Sequence, residues 1–266
     1  MPPSPASILR NSLYLSPQVI VGALSIYILL GALPTGAVQA HWDTPVLLGI
    51  SVLAFQILYA YWRPGPCSKA KQTFLKHHKV SLVRLASLCM VGSLILAFFA
   101  PRPLLILPVF ALASAYLWAV PRYFKASAYS LHRRLALIGL LMAGIWMAFL
   151  QYWSYGPESL GVAAIWLGLL LQNALIPRPD RQPLSPAPTS SPTIRLLMKV
   201  GLLLIVLIDL WMIYYSPHRF THRVLVLLLL IAVVQATIFF SRFKIIPPLM
   251  VRGILDWLPA LPLLLL

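Results

Sequence analysis

Chemistry in this chain has few acids to draw on. The sequence holds five, Asp43, Glu158, Asp180, Asp209 and Asp256, and no two lie within about 20 residues of each other. Mg²⁺ is usually held by one or two carboxylates alongside phosphate and water, and no such pair is visible in sequence. Asp209 and Asp256 fall inside apolar stretches, where an ionisable side chain is costly and usually faces a bundle interior or a wet cavity. Arg252 precedes Asp256 by four positions, so a helix would place the two on one face as a structural ion pair or as the lining of a ligand cavity. Asp209 has no charged neighbour in its stretch, and both a structural and a functional reading stay open.

His218 and His222 share the same four-residue spacing, but Pro217 lies at the start of that segment and no third ligand is near, which argues against a metal site. His77 and His78, inside Lys76 to Lys79, read as a solvated basic turn. Neither a Gly-rich phosphate loop nor a Ser/His/Asp signature is recognisable. Tyr59, Tyr61 and Trp62, and again Tyr152, Trp153 and Tyr155, read as interfacial aromatic belts. Cys67 and Cys89 form neither a CxxC site nor a disulfide framework.

The elements that must position these residues are transmembrane helices. Of 266 residues 60% are apolar and 10% charged, with a mean hydropathy of +0.86, which excludes an ordinary soluble domain. A helix crossing a hydrocarbon core of roughly 30 Å needs about 20 mostly apolar residues. Stretches of that kind fall at 16–33, 45–62, 83–100, 103–120, 134–152, 160–176, 196–215, 223–240 and 247–266. They predict an all-α bundle of about nine spans forming a single membrane domain over 1–266. The first, after Arg10 and before Val38-Gln39-Ala40, imitates a secretory signal and is read as a span.

Small residues recur four apart at Ala111 and Ala115, Gly139 and Ala143, Gly144 and Ala148, and Ala164 and Gly168. They suggest close helix packing. The connections 63–82 and 177–193 are the longest non-apolar stretches, and the Pro/Ser/Thr content of the second argues against a helix there.

The formal charge of +16 does not point to nucleic acid, because the basic residues lie between apolar spans rather than on one polar domain. An anionic leaflet is their expected partner. With the N-terminus inside, the cytoplasmic side receives Arg10, then Arg63, Lys69, Lys71, Lys76, Lys79 and Arg84, then Arg122, Lys125, Arg133 and Arg134. It also receives Arg178, Arg181, Arg195, Lys199, Arg242, Lys244 and Arg252, which leaves Arg102, Arg219 and Arg223 outside. Eighteen against three of the 21 basic residues predicts a cytoplasmic N-terminus and an external C-terminus.

One segment and the layout carry a resemblance. Tyr116, then Pro121-Arg122-Tyr123-Phe124-Lys125, then Leu131-His132-Arg133-Arg134 leading to Trp146, resembles a pattern of the UbiA superfamily of intramembrane prenyltransferases. The closing Arg252-Gly253-Ile254-Leu255-Asp256 is similar to the last span of its divergent bacterial members. The resemblance implies a UbiA-like bundle of the bacterial inner membrane. It also implies two Asp-rich motifs, after the second and sixth spans, that hold Mg²⁺ and an isoprenyl diphosphate.

At the first location the sequence reads Gln56-Ile57-Leu58-Tyr59-Ala60-Tyr61-Trp62-Arg63, without a carboxylate. At the second, Asn173 to Arg181, Asp180 is the one acid, flanked by Arg178 and Arg181. The expectation is a catalytically degenerate UbiA-like protein acting as a lipid-binding or structural subunit, with no cofactor and no nucleic-acid partner. Its expected partners are membrane lipids, an isoprenoid or quinone among them, and other membrane subunits. An active prenyltransferase, with Mg²⁺ or with Lys and Arg as diphosphate counter-charge, is the alternative. A small transporter or channel lined by Asp209 and Asp256 is a second alternative. The candidate polar-site residues are Asp180, Arg178, Arg181, Asp209, Arg252, Asp256, Tyr116, Arg122 and Lys125.

Overall fold

A computed structural model describes residues 17–33, 41, 43–62, 69–123, 131–152, 156–176, 192–216 and 218–240, with 255, 257, 258 and 261. The elements are α1 (Pro17–Ala32), α2 (Asp43–Trp62), α3 (Lys69–His77), α4 (Lys79–Phe99), α5 (Pro103–Tyr123), α6 (Leu131–Phe149), α7 (Pro157–Leu175), α8 (Pro192–Tyr215) and α9 (Arg219–Phe240). Among the described residues there is no strand. Four of these helices start on proline, whose fixed φ and missing N–H suit the first helical position. Proline also ends helices: Ala100, before Pro101, is extended at φ −65° and ψ 151°, which separates α4 from α5.

Four helices, α2, α4, α8 and α9, are long and apolar enough to cross a membrane. Shorter apolar stretches occupy α1, α5 and α6. The expected stretch 247–266 falls almost wholly outside the described residues. The connection 63–82 departs from expectation, since it contains helix α3 and α4 begins at Lys79 rather than at 83. Its helix is held by Phe74 and Leu75, which pack with Ile57, Leu82 and Ala86, while Gln72, Thr73 and Lys76 stay exposed. A search for continuous apolar runs passes over such an amphipathic segment.

Two packing units set the architecture. Helices α2 and α4 run antiparallel, with the Ser51 and Ser93 hydroxyls 3.0 Å apart midway and Leu47 meeting Ala97 toward one end. The main core joins α1, α6, α7, α8 and α9 through residues such as Leu30, Phe149, Trp166, Ile205 and Leu228. Outward faces stay apolar: Leu88, Val91 and Phe98 on α4 and Leu203, Leu207 and Leu210 on α8 are more than half exposed. Such surface is stable against lipid and unfavourable against water.

The small-residue pairs follow the expectation in part. Ala111, Ala115 and Ala164 are exposed, and a Cβ added at Gly139 or Gly144 would meet nothing within 4 Å. Ala148 is buried in the main core, and close approach occurs on α7, at Gly168 of the expected pairs and at Gly161. A Cβ at Gly168 would stand 2.9 Å from Ile205, and one at Gly161 would run into Met212.

Candidate functional site

The α7 glycines fix the register of α8. Gly161 faces Met212, Gly168 faces Ile205, and Gln172 reaches Gly201, so the two helices run antiparallel. Along α8 the buried residues are Met198, Ile205, Asp209 and Met212, a 7-4-3 spacing that makes one stripe. Asp209 therefore lies on the face that meets α7, at the level of Ile165. It is 0% exposed, and among the described residues neither carboxyl oxygen has a hydrogen-bond partner.

Other buried polar groups share this three-helix unit. Among the described residues the indole Nε1 of Trp166 and both amide atoms of Gln172 on α7 lack partners, as do Thr221 Oγ1 and Gln235 Oε1 on α9. All four residues are at most 1% exposed. Gly201, opposite Gln172, is eight residues from Asp209, so the acid and the α7 amide occupy levels about 12 Å apart along α8. Each unpaired buried polar group costs about 1–3 kcal/mol, and native cores carry few of them. At its own level the buried carboxyl can bind a proton or a small cation, while the amide of Gln172 lies too far along α8 to share that ligand.

The other described acids are engaged at one end of the bundle. Tyr152 donates its hydroxyl to Asp43, and the His41 ring stacks on Tyr152 at 3.8 Å between centroids. Gln151 accepts from the Arg102 backbone N–H at 2.8 Å and donates to the Arg102 and Met147 carbonyls, both at 3.2 Å. Ser216 donates to Glu158, joining α7 to the α8–α9 turn. His222 Nε2 lies 2.9 Å from the Ser216 carbonyl and His218 is exposed, so the two imidazoles do different things. Among the described residues no three His, Cys, Asp or Glu side chains gather as a metal site.

Comparison with protein families, curated proteins and solved structures finds no match.

Of the sequence candidates, Asp180, Arg178, Arg181, Lys125, Arg252 and Asp256 lie outside the described residues. Arg122 sits in the last turn of α5. Tyr116, half-buried on α5, stacks near Phe55 of α2 at 6.4 Å, and Phe55 in turn stacks near Tyr59 at 6.1 Å. Asp209 is thus the candidate acid whose surroundings are defined. Its companions Trp166, Gln172, Thr221 and Gln235 were missed in sequence, where uncharged polar residues in apolar stretches are common and nothing local marks which of them are buried together.

Proposed function

We propose that this chain is a multi-span membrane protein of UbiA-like layout that has lost donor chemistry and acts as a lipid-binding or structural subunit of a membrane assembly. The reading includes nine spans in the bacterial inner membrane, with a cytoplasmic N-terminus and an external C-terminus. One observation carries it. Where the resemblance puts the first Asp-rich motif, the end of α2 has no carboxylate from Gln56 to Arg63, and Ile57 is fully buried in an apolar cluster with Leu75, Leu82 and Ala86. A Mg²⁺–diphosphate pair needs hard oxygen ligands, which those side chains do not offer. The open apolar faces of α4 and α8 supply surface for lipid or for a neighbouring subunit.

The test offers purified protein a radiolabelled isoprenyl diphosphate with quinone, haem and phenolic acceptors, with and without EDTA. A parallel mild-detergent isolation is analysed for bound proteins and lipids. The expected result is no metal-dependent product together with co-purifying lipid or protein. A prenylated product that disappears with EDTA would overturn the reading in favour of a prenyltransferase, the one alternative in which Mg²⁺ is a cofactor. A product insensitive to EDTA but lost in Arg178→Ala with Arg181→Ala would support cation-assisted transfer.

A second reading is favoured by Asp209, whose fully buried, unpartnered carboxyl is the kind of group that lines a proton or ion path in transporters. Proton or cation flux in sealed vesicles that is lost in Asp209→Asn would establish it.

A further inference from the structure

The outer edge of α4 has a polar head and an apolar track on one helical face. The chain turns at His78, at φ −97° and ψ 18°, between α3 and α4, and the His78 N–H bonds the Phe74 carbonyl at 3.0 Å while the Leu82 N–H bonds the His78 carbonyl at 2.9 Å. Across that turn Leu75, Leu82 and Ala86 still pack into one inward cluster. On the opposite face of α4 the helical periodicity brings Val80, Arg84, Leu88, Val91, Ile95 and Phe98 into one stripe, with Lys76 ahead of it at the end of α3. All seven are exposed, Leu88 at 71%.

Charge on this edge is one-sided. Lys76, Lys79 and Arg84 are exposed, and no Asp or Glu occurs in the sequence between Asp43 and Glu158. Both of those acids are hydrogen-bonded at the other end of the bundle, to Tyr152 and Ser216. Lys79 turns instead toward α2, with its Nζ 5.3 Å from the centroid of the Tyr61 ring. Lys76 and Arg84 are two turns apart, about 12 Å, a gap that their two long side chains can close from both sides. From Arg84 to Ile95 the track runs eleven residues, about 16 Å, or half of a hydrocarbon core of about 30 Å. That is the reach of one leaflet.

We infer that this edge seats an anionic phospholipid, with its phosphate between Lys76 and Arg84 and an acyl chain along Leu88, Val91 and Ile95. The inference rests on the membrane reading above and is independent of whether the chain transfers prenyl groups. A zwitterionic lipid carries its own cation beside the phosphate and gains less from this head.

The full chain, purified in mild detergent, is loaded with phosphatidylglycerol or phosphatidylcholine, and retained lipid is counted by native mass spectrometry. Phosphatidylglycerol should be retained preferentially, and Lys76→Gln with Arg84→Gln should weaken it by roughly fivefold per charge. Phosphatidylcholine retention should not change. Arg219→Gln with Arg223→Gln, at the opposite end, should leave both lipids as in the wild type. Equal loss in that control would mean unspecific charge attraction and would overturn the seat. Inorganic phosphate and glycerophosphate, which lack acyl chains, are offered as competitors and should not displace the lipid. Displacement by either would overturn the seat in favour of a free-anion site. If the double variant does not fold, salt is titrated onto the wild type, where phosphatidylglycerol must be lost before phosphatidylcholine; parallel loss would overturn the seat.

Discussion

Gly161 on α7 lies so close to Met212 on α8 that a Cβ built on the glycine would stand 2.8 Å from Met212 Cγ and closer still to the sulfur. Met212 is fully buried, so it has little room to withdraw. Gly161→Ala should therefore destabilise the protein by about 1–3 kcal/mol through overpacking. In a double-mutant cycle with Met212→Ala, the pair should cost less than the sum of the singles, because truncating the methionine opens the space that the new methyl needs. Thermal unfolding in detergent measures this. Strict additivity would mean that the two side chains do not share the gap.

Asp209 lies on the same α8 stripe, three residues before Met212. A buried carboxyl without a partner lowers stability, and an apolar residue of similar size removes that cost. Asp209→Leu should raise the unfolding midpoint, by about 1–3 kcal/mol in free energy, while Asp209→Asn should change it less. A residue that costs stability yet stays in a core is a candidate for function. Loss of stability in the leucine variant would show instead that Asp209 has a structural partner.

Gln151 ties the α4–α5 junction to the end of α6 through two hydrogen bonds with the Arg102 backbone, makes a third to the Met147 carbonyl of α6, and is 3% exposed. Gln151→Leu should leave the Arg102 backbone N–H without its acceptor and cost about 1–3 kcal/mol. Gln151→Glu keeps the acceptor but loses both donated bonds, so it should fall between the wild type and the leucine variant. Limited proteolysis near Pro101, with thermal unfolding alongside, tests that order.

Topology is open to thiol labelling. Under the proposed orientation Cys67, in a basic connection, should react with a membrane-impermeant maleimide only after cells are opened, and Cys67→Ser should abolish the signal. Cys89, half-buried in α4, should stay unlabelled in both conditions. Labelling of Cys67 in intact cells would reverse the orientation.

Much of the helical framework was legible because span length and composition are local properties. The apolar runs at 45–62, 196–215 and 223–240 coincide closely with α2, α8 and α9, and Pro101 separates α4 from α5 as its effect on the preceding residue requires. Helix α3 was not legible, because its stability comes from Phe74 and Leu75 meeting Ile57 of another helix. The small-residue pairs were legible only in part for the same reason: Ala111 and Ala115 have helix-packing spacing but stay exposed, whereas Gly168 of another expected pair meets α8 together with Gly161, seven residues before it.

By itself the sequence determined that this is a chain of apolar helices with many Lys and Arg and few acids. Those features are sums over neighbouring residues, and hydrocarbon thickness reads them directly. It also placed Asp209 inside an apolar stretch. Only the tertiary structure decided that Asp209 is sealed between helices without a partner among the described residues, that Trp166, Gln172, Thr221 and Gln235 are buried in the same three-helix unit, and that Asp43 and Glu158 are engaged by Tyr152 and Ser216. Whether a polar group is paired depends on residues 50 to more than 100 positions away brought together by packing, and no local pattern carries that information.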